Sequence, residues 1–212
     1  CIFTTVRSRI DRFMAHKSTT RSVGRPREFD EEAALKAAMD AFWTKGYEAT
    51  SMAELCSCTG LHKGSLYQAF GDKHQLFMDA LKHYADSEFH ETTAVLSESK
   101  SPLENMRAVV SKICEDAAGD KGCMMINSMV ELAPHDPAVK AALQSFGQQR
   151  MQAVIEMIAS AQASGELSVT TAPEKLARQL MMTLAGGAAM VKGLLAPDDF
   201  AETVNDLIDS WV

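Results

Sequence analysis

From residue 30 onward, apolar residues recur at spacings of three and four, and sustained alternation of β-branched residues is almost absent. The pattern predicts an all-α chain of about nine helices, each bounded by recognisable stop and start signals. The first runs from about Asp30 to Lys45, with Leu35, Ala38, Met39 and Phe42 on one face and Gly46 as its stop. Ser51 with Glu54 three residues on forms a capping box that opens a short second helix, ending near Cys58. A third short helix spans about His62 to Phe70 after a Thr59-Gly60-Leu61 turn. Asp72 caps a long fourth, which ends near Leu96.

Ser101-Pro102-Leu103-Glu104 combines a cap, a proline at the first helical position and a glutamate at the third, and opens a fifth helix to about Ala118. A sixth runs from Cys123 to Leu132, and Asp136-Pro137 opens a seventh that ends at Gly165. Thr171 with Glu174 opens an eighth to about Leu195, and Pro197-Asp198 opens a ninth that reaches Trp211. Three units follow: a basic arm over residues 1–28, a three-helix unit over 29–75 and a larger helical body over 76–212. Met14 is followed by the polar stretch Ala15-His16-Lys17-Ser18, so the first 13 residues are read as lying outside the native fold.

Composition narrows the class. The chain has 212 residues, is 46% hydrophobic and is long enough to bury a core, which excludes a mainly disordered polypeptide. The longest uncharged apolar run, near Leu180 to Val191, falls short of the roughly 20 residues a membrane span requires. Five cysteines, Cys1, Cys56, Cys58, Cys114 and Cys123, form no regular framework, so reduced thiols and a cytoplasmic location are expected.

The net charge of −7 at first argues against nucleic acid. Its distribution reverses the argument. Residues 1–90 hold 12 Lys+Arg and 12 Asp+Glu, whereas residues 91–212 hold 9 and 16. Lys17, Arg21, Arg25 and Arg27 face only Glu28 in the arm, so a neutral head with a basic arm precedes an acidic body.

The two short helices joined by a tight turn have the spacing of a helix-turn-helix. In the third helix Leu66 and Phe70 share the inward face, which leaves Lys63, Ser65, Tyr67 and Gln68 as donors for bases or phosphates, with Gly64 allowing close approach. Thr50 and Ser51 at the start of the second helix, and Lys73 beyond the third, are candidate phosphate contacts.

Three strings carry a resemblance: Gly24-Arg25-Pro26-Arg27, Ala41-Phe42-Trp43-Thr44-Lys45-Gly46-Tyr47-Glu48-Ala49-Thr50-Ser51-Met52, and Lys63-Gly64-Ser65-Leu66-Tyr67-Gln68-Ala69-Phe70-Gly71-Asp72-Lys73. Over about residues 24 to 80 the chain resembles the TetR family of one-component transcriptional regulators. His62 stands where that family usually has a Ser or Thr cap, Cys56 and Cys58 where it has Ala, and Gln68-Ala69 where a His pair is common. These departures bear on the operator sequence. The resemblance implies a homodimer that reads a palindromic operator in double-stranded DNA, with Arg25 and Arg27 in the neighbouring minor groove.

Nine of the 13 methionines fall between Met106 and Met190, which suits an adaptable apolar pocket. Met106, Cys123, Met125, Met129 and Met181 are the candidate lining for a small-molecule inducer, against plain core packing. Cys123 at a helix N-terminus beside Lys121 is also a candidate redox or electrophile sensor, with Cys114 as its resolving partner. The stretch Gly122-Cys123-Met124-Met125 resembles a subgroup whose sixth helix opens with Gly-Cys, some members of which sense oxidants or electrophiles through such a cysteine. Leu184, Gly187, Val191, Val204 and Ile208 are the candidate dimer interface on the last two helices, as in the resembled family.

The expected function is therefore a ligand- or redox-responsive repressor released by an apolar or electrophilic inducer. The alternatives are an all-α enzyme and a ligand-binding scaffold without a DNA role. No Gly-rich phosphate loop, no metal-ligand spacing and no nucleophile–base pair supports an enzyme, a cofactor or a metal site.

Overall fold

The computed structural model describes residues 29–119 and 121–212. The basic arm, with Arg25 and Arg27, lies outside the described residues, as does the proposed non-native start. Among the described residues there are nine α-helices and no strand. They are α1 (Glu31–Lys45), α2 (Met52–Thr59), α3 (Lys63–Phe70), α4 (Lys73–Ala94), α5 (Pro102–Ala117), α6 (Met124–Glu131), α7 (Pro137–Ala163), α8 (Pro173–Met190) and α9 (Pro197–Asp209). None is long and apolar enough to cross a membrane.

Most expected caps form. Ser51–Glu54 and Ser101–Glu104 close as capping boxes and the Asp72 side chain accepts from the Gln75 amide; Asp30, read only as a helix start, also caps α1 by accepting from the Glu32 and Ala33 amides. The eighth helix departs from expectation at both ends. Its cap is Ala172 rather than Thr171, with no side-chain bond, and Pro173 supplies the pre-set first turn. It stops at Met190, where the Leu194 and Leu195 amides fold back to the Met190 carbonyl.

Two cores form. The first gathers Phe42, Leu55, Leu66, Phe70, Leu76, Phe77 and Leu81 from α1 to α4. It is centred on an edge-to-face contact of Phe42 and Phe77 at 5.3 Å, and burying each such ring contributes about 1.5–3 kcal/mol. It also takes in Met124, Met125 and Leu132 from α6 and its end, and Val139 and Leu143 from α7. The boundary near residue 75 is therefore crossed by packing: α4 and α6 serve both parts. The second core joins α5, α7, α8 and α9 through Met106, Val110, Ile158, Leu180, Phe200, Val204 and Ile208. Cys123 touches both cores.

The expected dimer residues go into this second core instead. Leu184, Gly187, Val204 and Ile208 are buried by the chain's own helices, and Val191 is half-buried against them. Phe200 packs so close to Gly187 that a Cβ there would sit 2.0 Å from its ring. The reason is amphipathic: α8 turns Leu176, Leu180 and Leu184 inward to the second core. Its outward face carries Met182 (75% exposed), Gly186, Ala189 and Met190, continued by Leu194 (85% exposed).

Candidate nucleic-acid interface

α2 and α3 are set by local chemistry. Thr59 Oγ1 donates to the Leu55 carbonyl at 2.6 Å and accepts from the Leu61 amide at 3.3 Å, while Gly60 adopts the left-handed conformation (φ +69°) that turns the chain into α3. Leu66 and Phe70 anchor α3 in the first core. Its outer face then presents Lys63, Gly64, Tyr67 and Gln68, all exposed, with Ser65 half-buried. Nothing lies within 4 Å of a Cβ built on Gly64, so a surface can approach the backbone there. The Lys63 ammonium lies over the Tyr67 ring at 5.7 Å from its centre.

The phosphate candidates divide. The Ser51 hydroxyl is exposed but engaged in the capping box, leaving the first α2 amides as the free donors. Thr50, expected to meet phosphate through its amide, is fully buried: its amide donates to the Tyr47 carbonyl at 3.3 Å and its hydroxyl to the Gly46 carbonyl at 2.6 Å, so both donors turn inward. The Lys73 ammonium stacks over Tyr47 at 4.3 Å, half-buried at the edge of the same face. Glu54, bonded to Lys45 and Ser51, is held down to about 2 and stays anionic.

The body holds a partly open cavity of about 120 Å³ between α4, α5, α6, α7 and α8. Its walls are mostly apolar, from Val109, Ile113, Val154, Met157, Met181 and Leu184. Arg150 and Glu88 form a largely shielded ion pair in the wall, with 20% and 11% of their side chains exposed, beside Tyr84 and Cys123. Of the expected lining, Cys123 and Met181 are there. Met106 is wholly buried in the second core, Met125 in the first, and Met129 is 47% exposed on the outside of α6. The helical register explains this, because one turn of α6 offers only part of its circumference to the cavity.

Cys123 does not have the surroundings of a reactive thiolate. Burial pushes its thiol up, and the Glu88 carboxylate adds to this, outweighing the Ile126 amide, Arg150 and Tyr84. Lys121 turns away to Asp40 at 3.1 Å and over the Trp43 ring. Burial raises Cys114 to about 11, and both thiols are free.

Polar and aromatic contacts tie the head to the body at both ends of α6. At its start, the Trp43 indole donates to the Gly122 carbonyl at 3.0 Å, and the Trp43 ring meets Tyr84 edge-on at 4.9 Å. At its end, the Glu131 carboxylate accepts from the Tyr47 amide at 3.1 Å and from the Glu48 amide at 2.9 Å. Gly46 makes room for that fork with φ +88°, where a Cβ would lie 2.9 Å from Glu131 Oε2. His74 and Asp136 pair at 2.7 Å between the starts of α4 and α7. Sequence reasoning missed Glu131, Arg150 and Glu88. The available signal was Arg150 itself, a lone cation flanked four residues either way by Phe146 and Val154.

Comparison with known proteins decides what the head does. The family described as bacterial regulatory proteins, tetR family, matches residues 34–80, and the tetracyclin repressor-like C-terminal domain matches residues 100–207. The chain belongs to the TetR family. It is 34% identical over 151 residues to the HTH-type transcriptional repressor ComR of Escherichia coli K12, covering 69% of this chain and 72% of that one. It is 32% identical over 127 residues to the repressor BdcR of the same organism, covering 60% and 64%. Among solved structures, a cysteine-substituted form of the TetR-family regulator CifR, in complex with 26-bp double-strand operator DNA, superposes with a TM-score of 0.77 at 29% identity. That match covers 89% of this chain and all of the other. The chain is thus a DNA-binding transcriptional regulator of repressor type, and it is not an enzyme.

Proposed function

We propose that the chain acts as a homodimer that represses transcription from a palindromic operator and releases it when a small molecule occupies the α4–α8 cavity. The observation that carries this reading is the course of α6. Its first turn, at Cys123 and Ile126, lines the cavity, and its last residue, Glu131, grips the loop that leads into the helix-turn-helix. Tyr84 adds a second path, with one face in the cavity and an edge on Trp43 of α1. A ligand that favours one placement of α6 shifts the head, and by linkage DNA binding disfavours that ligand.

In this reading Lys63, Gly64, Ser65, Tyr67 and Gln68 meet bases and nearby phosphates, and Ser51 with Lys73 borders the backbone. Arg25 and Arg27 are assigned to the minor groove by family likeness alone. The outward α8 face of Met182, Gly186, Ala189 and Leu194 is the contact between subunits, in place of the buried residues expected from sequence. A regulator of this kind works in the cytoplasm, where the DNA lies. Small-molecule control is favoured over thiol control because burial keeps Cys123 protonated and Lys121 is engaged elsewhere.

Fluorescence anisotropy with a duplex from the promoter beside its own gene tests the reading. Binding that weakens linearly in log salt is the expected result. No binding at low salt to that or any other promoter duplex refutes it.

A further inference from the structure

The cavity's polar groups specify what it accepts. This inference rests on the effector reading above and names the chemistry of its ligand. Each charge in the wall already has a counter-charge: Arg150 pairs with Glu88, and Asp116 pairs with Lys112. An anionic ligand would add an uncompensated negative charge beside Glu88 and Asp116, and a cationic one would meet Arg150. Either is penalised in an apolar enclosure.

Arg150 also holds hydrogen-bonding capacity that its ion pair does not use. A guanidinium has five N–H groups, and Glu88 is the one acceptor that Arg150 engages among the described residues. Tyr84 is committed to Cys123 and the Met124 amide. Arg150 therefore brings spare donors to the site. Its size sets the rest, since about 120 Å³ compares with the engineered cavity of about 150 Å³ that holds benzene.

We propose that the cavity takes an uncharged, mostly apolar molecule about the size of one aromatic ring, whose single polar group is a hydrogen-bond acceptor seated on Arg150. A carbonyl is the simplest such group. Carboxylates and amines of the same size are excluded.

Calorimetry with the full chain and three matched probes tests this: acetophenone, benzoate and ethylbenzene. Acetophenone binding about tenfold more tightly than benzoate, and several-fold more tightly than ethylbenzene, is the expected order. Replacing the pair together, Arg150→Met with Glu88→Leu, leaves no lone buried charge and brings acetophenone and ethylbenzene within about twofold of each other. Met181→Trp fills the cavity with the pair intact and removes binding of both.

Benzoate binding as tightly as acetophenone overturns the proposal. So does a ketone preference that survives loss of the pair, or no binding of any probe to the unsubstituted chain, whose ranking stands as a test even if a variant misfolds. Operator release is read in parallel. The expected ranking without release overturns the effector reading and keeps the ligand chemistry, whereas release with a different ranking overturns the chemistry alone.

Discussion

The Glu131 fork is the most exposed point of the proposed coupling, and Glu131→Ala tests it. Two main-chain N–H groups lose a charged acceptor, one on half-buried Tyr47 and one on exposed Glu48. A hydrogen bond to a charged group contributes about 1.5–3 kcal/mol, and water replaces the acceptor readily only at Glu48, so a net loss of about 2 kcal/mol is expected. Glu131→Gln keeps one acceptor but turns its NH₂ toward the second amide, so about half that loss follows. Gly46→Ala adds a Cβ 2.9 Å from Glu131 Oε2 at a φ of +88°. The backbone strain alone costs about 1–3 kcal/mol, and the clash is relieved when the Glu131 carboxylate swings off the two amides or is removed. Urea unfolding of Glu131→Ala, Gly46→Ala and the variant carrying both gives the interaction energy directly. Hydrogen exchange at the Tyr47 and Glu48 amides reports the local opening. A Glu131→Ala change within about 0.5 kcal/mol of the parent, with unchanged exchange at both amides, refutes the fork as a strut.

Three further outcomes follow from the same geometry. Gly187→Ala drives a methyl to 2.0 Å from the Phe200 ring, and a destabilisation of about 3 kcal/mol, the upper end for overpacking, is expected in urea unfolding. Lys63→Ala weakens operator binding across sequences and lowers the log–log salt slope by about 0.9 per phosphate contact, hence about twice that for a dimer, as anisotropy measures. Glu54 is held at about 2 in the fold against 4.5 ordinarily, so its depressed pKa stabilises the head above 4.5 and that share is lost as pH falls towards 2. Thermal melts of Glu54→Gln and the parent between pH 2 and 7 check this, with the difference largest at neutral pH and closing in acid.

Helix order and most boundaries were legible because they depend on neighbours along the chain. Capping boxes at Ser51 and Ser101, the Asp72 cap and the helices opened by Pro102, Pro137 and Pro197 are local chemistry, and they form as read. The outward face of α3 was legible for the same reason, since Leu66 and Phe70 fix its rotation. Thr50 was not, because its amide and hydroxyl turn back to Tyr47 and Gly46 rather than out. The cavity was only half legible. Methionine content marks an adaptable interior but not which helical face meets an opening, so Met181 lines it while Met106 and Met125 fill solid core. Apolar character could not separate a face buried within the chain from one buried between chains. Gly187, Val204 and Ile208 proved to be the former, packed around Phe200. The Arg150–Glu88 pair joins residues far apart in sequence and had no spacing to betray it.

Selection of the full chain on random duplex DNA tests the central claim most directly. Enrichment of a palindrome whose half-sites lie one helical turn or a multiple of it apart, lost in Tyr67→Ala with Gln68→Ala, is the predicted result. Enrichment of no sequence at low salt, or of one indifferent to the α3 substitutions, contradicts the assignment of α3 as the reading helix.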